Sequence, residues 1–83
     1  MDRHTKKHMG MEKAIKELNK EIRRVEILAA QVPPPGESRL GTEIWKNGVM
    51  MDLETALIAV RDKDELQIAV SLVQLKNITE IPT

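Results

Sequence analysis

The sequence predicts an all-α fold: a helical hairpin or three-helix unit, assembled with further copies into a helical-bundle oligomer. Three observations carry that expectation. Apolar residues recur at alternating spacings of four and three from Met11 to Val32, the repeat of one helix face. Three of the four prolines and three of the four glycines gather in residues 31–49, where the chain must turn. The third is a shortage of bulk: 83 residues with no Phe, Tyr or Cys and a single Trp. A chain this short buries only about 60% of its unfolded surface, so burial against a second copy is a natural remedy.

Residues 1–8 read as a disordered basic tail, residues 9–78 as one helical domain and residues 79–83 as a C-terminal tail. The first helix is expected over about 9–31. Met11, Ile15, Leu18, Ile22, Val25, Ala29 and Val32 form its seam, in the heptad manner of a helix that packs along its length. Glu12–Lys16, Lys13–Glu17 and Glu21–Arg24 lie four or three apart and support it by about 0.2–0.5 kcal/mol each. Pro33 ends it, because the residue before a proline is pushed out of the helical region.

The stretch "PPPGES" reads as a stiff polyproline spacer closed by a Pro35-Gly36 turn. Thr42 then serves as candidate N-cap, with Glu43 placed to favour the helix start. The second helix is expected over about 43–61, with Trp45, Val49, Leu53, Ala56 and Val60 on one stripe and Met50 and Leu57 widening it. A hairpin over residues 44–51 competes, because Asn47-Gly48 is a strong turn signal; the helical period from Leu53 to Val60 favours helix. Gly48 then marks a kink, a late helix start or a close approach.

The third helix is expected over about 63–77 through Leu66, Ala69, Val70, Leu72 and Val73, with Asp62 and Glu65 at capping-box spacing. Nothing in "RDKD" forces a break, so the second and third helices could also form one rod.

Charge is zero in sum but unevenly spread. Residues 1–24 carry +4 and the remainder −4. The basic face of the first helix (Lys13, Lys16, Lys20, Arg23 and Arg24) is a candidate anion-binding surface. No apolar run approaches the roughly 18 residues of a membrane span, and the basic start is not followed by an apolar core, so a cytoplasmic protein is expected.

Chemistry-bearing patterns are few. His4 and His8 sit four apart without a third ligand, and Asp62, Asp64 and Glu65 cluster where helix capping explains them. No Gly-rich phosphate loop, HExxH or nucleophile–base pair occurs. No enzyme activity, cofactor or metal is expected. The reading that remains is a small regulator or adaptor acting through protein–protein contact and self-association. Its expected oligomer interface is Met11, Ile15, Leu18, Ile22, Val25 and Ala29, and its core or partner anchors are Trp45, Met50 and Met51. An alternative is a small helical oligomer that binds nucleic acid or an anionic nucleotide through the basic face.

Overall fold

The first helix, α1, spans Arg3–Ala29 in the computed structural model, which describes residues 3–34 and 36–82, with side chains from residue 10 onward. It begins six residues ahead of the expected start, so residues 3–8 are helical rather than tail. Arg, Lys and Met are good helix formers, and extending an existing helix is far easier than nucleating one. Its end tightens before Pro33: the Gln31 N–H donates to the Leu28 carbonyl at 3.1 Å and the Val32 N–H to Ala29 at 3.2 Å. Such three-residue closures satisfy carbonyls that a helix end leaves open.

Of the expected Pro35-Gly36 turn, Pro35 lies outside the described residues. The Glu37 N–H donates to the Pro34 carbonyl at 3.0 Å, and Gly36 takes φ 94°, a left-handed value that glycine adopts without a Cβ penalty. Glu43 pins the turn to the next helix, its Oε1 accepting from the Gly36 N–H at 3.0 Å.

The second helix, α2, spans Leu40–Asp62 without interruption, so no hairpin forms at Asn47-Gly48. Its N-cap is Arg39 rather than Thr42, and no side chain caps it. The Thr42 hydroxyl instead donates to the Pro82 carbonyl at 3.4 Å, which lays the C-terminal segment beside the first turn of α2. Gly48 is not a close-approach glycine, since a Cβ there would meet nothing within 4 Å.

The third helix, α3, spans Glu65–Lys76, and α2 and α3 are separate. Lys63 adopts φ 53°, ψ 40°; its N–H donates to Val60 at 3.2 Å, and the Asp64 N–H to Ala59 at 3.1 Å. This is a Schellman ending with lysine in the left-handed position that glycine usually fills. The cap of α3 lies two residues later than expected: Asp64, not Asp62, accepts from the Gln67 N–H, at 3.1 Å. Asp62 is drawn to Arg61 at 2.9 Å.

The result is a three-helix all-α unit with extents of 56 × 18 × 15 Å. α2 returns antiparallel to α1, and α3 runs alongside both. Leu18, Ile22, Val25 and Ala29 from α1 meet Val49, Leu53, Ala56 and Ala59 from α2 and Ile68 and Leu75 from α3 in one core. Ser71 is fully buried among them. On α3 the inward face is therefore Ile68, Ser71 and Leu75, and the expected inward residues Leu66, Val70 and Val73 face out. Both stripes have helical spacing. The observed stripe carries the small, fully buried Ser71, a side chain that lets helices approach closely.

Candidate interaction surface

The expected oligomer seam is occupied inside the single chain. Leu18, Ile22, Val25 and Ala29 are buried by α2 and α3, while Met11 and Ile15 are half-buried against the same core. A lone chain thus offers none of the four buried residues to a second copy. Trp45 is half-buried and packed on the core. Met50 and Met51, one of which was expected inside, both face solvent, with Met51 69% exposed.

Of the five basic residues singled out, Lys13, Lys16, Lys20 and Arg23 are exposed. On a helix of 100° per residue they fall on the outermost line of α1, opposite the core. Arg24 stands beside Lys13 around that helix, but its side chain is drawn toward α3. Its Nε donates to Glu21 at 2.9 Å and its Nη2 to the Leu75 carbonyl at 2.8 Å, which places a cation at the negative end of α3. It is committed to holding α1 on α3 rather than to an anion.

A second tie between α1 and α3 is the Glu17–Lys76 ion pair. The hydrogen bond from Lys76, and then its charge, hold the Glu17 carboxyl below its ordinary value. The same bond raises the Lys76 ammonium. Within the α2 terminus, Arg61 holds Asp62 down in the same way. These are surface pairs, which position more than they stabilise.

What sequence reasoning missed is a second apolar face. Ile44, Met51 and Ile58 stand seven apart on α2, and Met50 and Leu57 repeat the same interval beside them. All five are exposed, Ile44 by 63% and Leu57 by 50%. They continue into a groove of about 490 Å³ between α2 and the end of α1, lined by Ala29, Ala30, Met50, Leu53 and Leu57 and rimmed by Glu26, Lys46 and Glu54. On α3, Leu66, Val70 and Val73 form a shorter outward stripe, with Leu66 76% exposed. The signal was present as the interval of seven. The core stripe through Val49, Leu53 and Ala56 overlies it in the sequence.

Chemistry-bearing clusters do not assemble among the described residues. No three His, Cys, Asp or Glu side chains converge as a metal set, and the side chains of His4 and His8 lie outside those described. Asp62 and Asp64 are held by Arg61 and by the helix start. Among the described residues, no helix is long and apolar enough to cross a membrane. No family model, curated protein or solved structure matches this chain.

Proposed function

We propose that the protein is a small, non-enzymatic interaction module, a cytoplasmic regulator or adaptor that works by helix-to-helix contact with another protein and with copies of itself. The observation that carries this reading is the second apolar face on α2 and α3. A helix that is apolar on both sides belongs between neighbours. Scattered surface leucines need no explanation, but stripes at helical spacing mark contact sites.

The α3 stripe tests the foreign-protein part. Leu66→Ser, Val70→Ser and Val73→Ser together touch no core residue, so stability should stay near that of the parent. Affinity capture with mass spectrometry, run with and without nuclease, should show a nuclease-resistant partner lost in this variant. A partner set unchanged by the triple substitution removes α3 as the contact.

The basic line on α1 supports a second reading, binding of nucleic acid or an anionic nucleotide. Lys13, Lys16, Lys20 and Arg23 share one exposed line, with Glu12, Glu17 and Glu21 off to its sides. If all four met phosphates, log affinity would fall with log salt at a slope of about −3 to −4. Undetectable binding of single-stranded DNA, RNA and nucleotides at low salt dismisses it.

A further inference from the structure

We infer that two copies of the chain exchange their third helices: the turn at Lys63 opens into helix, α2 runs on into α3, and the α3 of each copy packs on the α1–α2 pair of the other. The inference rests on the proposed self-association and names the segment through which it occurs.

The hinge is where the closed and exchanged forms differ. α3 is held by residues far away in the chain. Arg24 donates to the Leu75 carbonyl 51 positions on, and Lys76 reaches Glu17 across 59 positions. Ile68, Ser71 and Leu75 sit in the shared interior. None of these contacts needs α1 and α3 to belong to the same molecule, so copies that trade third helices keep them all. The choice between the two forms then falls to residues 62–65 and to protein concentration.

Those residues are strained when closed and suited to helix when open. Lys63, at φ 53° and ψ 40°, is the only non-glycine residue with positive φ among the described residues. The left-handed region crowds the Cβ of any L-residue, and glycine is the usual occupant of such a helix ending. The stretch "RDKDE" contains neither glycine nor proline, so nothing in it prevents a helix.

Opening also keeps the backbone hydrogen bonds. The Lys63 and Asp64 N–H groups now bond the Val60 and Ala59 carbonyls; in a continuous helix they swap these two acceptors. The Gln67 N–H leaves the Asp64 carboxylate for the Lys63 carbonyl. The Arg61 and Asp62 carbonyls at the end of α2 gain the Glu65 and Leu66 N–H groups, which a separate helix leaves open.

A short turn under strain is the kind of hinge that invites exchange. A single opened chain uncovers Leu18 and Ala56 on one side and Ile68 and Leu75 on the other. A second opened copy covers both at once, with the side chains that already fit them.

Two hinge variants separate the forms. Glu65→Pro puts proline at the first position of α3, where a missing N–H is no loss, and Asp64 before it is already extended at φ −81°, ψ 103°. Inside a continuous helix the same proline is a breaker. Parent chain refolded from urea at high protein concentration should sediment as a dimer. Lys63→Gly relieves the closed turn and weakens the open helix, so it should raise the dimer dissociation constant at least about tenfold. Glu65→Pro should be a monomer with the helical content of the parent by circular dichroism.

The exchange itself is read by cross-linking. The chain has no cysteine, and Glu17 and Lys76 are surface partners. Glu17→Cys and Lys76→Cys chains refolded together should be joined by a short bis-maleimide into a species containing one of each. Adding Glu65→Pro to both chains should abolish that species. A parent dimer that gives no such link, or a link that persists beside a folded Glu65→Pro hinge, overturns the exchange and leaves self-association through another face standing. An unchanged dissociation constant in Lys63→Gly overturns the hinge. A parent that is monomeric at every concentration overturns exchange and self-association together; contact of the outer α3 stripe with another protein is read by its own variant.

Discussion

α1 buries one face and charges the other, whereas α2, almost as long, carries apolar side chains on both. In α1 the seam from Leu18 to Ala29 goes wholly into the core, and the opposite line is Lys13, Lys16, Lys20 and Arg23. In α2 the inner stripe of Val49, Leu53, Ala56 and Ala59 is backed by Ile44, Met51 and Ile58 on the outside. The difference teaches that the number of apolar faces on a helix counts the neighbours it is built to meet. α1 has its neighbours already. α2 has only those on one side.

The largest effect separates the two kinds of apolar residue. Leu18→Ala should cost about 2–5 kcal/mol, because it opens a cavity at a fully buried site, whereas Met51→Ala should change monomer stability by less than about 0.5 kcal/mol. Urea unfolding at low protein concentration measures both. Equal losses would mean that the outer face of α2 belongs to the single-chain core after all.

Next come two gains. Ser71 is fully buried and its hydroxyl makes no hydrogen bond among the described residues, so Ser71→Ala should stabilise by about 1 kcal/mol. A loss instead would reveal a bridging water at that site. Gly48 sits inside α2 with open space around its missing Cβ, and Gly48→Ala should add up to about 1 kcal/mol. A loss there would show that something packs against α2 at that point, which would sharpen the account of its outer flank.

The smallest effect is a pH dependence. Glu17 has its folded value lowered by Lys76, so its contribution is complete above the unfolded carboxylate value. It fades as pH falls through the folded value, from roughly pH 5 downward. Lys76 is raised, so the same pair weakens again only at strongly alkaline pH. Glu17→Gln should flatten a small part of the acid limb of thermal stability and leave neutral pH nearly unchanged. A large change at neutral pH would make α1–α3 docking depend on this pair more than an exposed contact should.

α1 was legible because its seam residues, unlike the exposed Ile27, have one destination, so their spacing states the answer directly. The left-handed Gly36 was legible too, since a turn that places glycine after proline favours positive φ at the glycine. Helix starts were less so. Thr42 and Asp62 have the chemistry of caps, but Arg39 and Asp64 hold those positions. Cap preferences are of order 1 kcal/mol and yield to where packing places the helix. The faces of α2 and α3 were hardest. Leu66–Val70–Val73 and Ile68–Leu72–Leu75 have equal claims by period. The burial of the small Ser71 between helices separates them, and that is a property of three helices together. The same ambiguity assigned Met50 and Leu57 inward and hid the interval of seven outside.

The contact between the Arg24 guanidinium and the Leu75 carbonyl has a kinetic corollary. α3 is 12 residues long, at the lower edge of what holds as an isolated helix in water. Its C-terminal end is tied by a side chain 51 positions earlier in the chain. The two long helices α1 and α2 can hold each other, whereas α3 is too short to persist alone and gains its stabilisation from both of them. Folding should therefore proceed with α3 docking last. Destabilising substitutions at Leu75 should speed unfolding while leaving the folding rate almost untouched. Amides of α3 should exchange with solvent through partial opening well before those at the centre of α1.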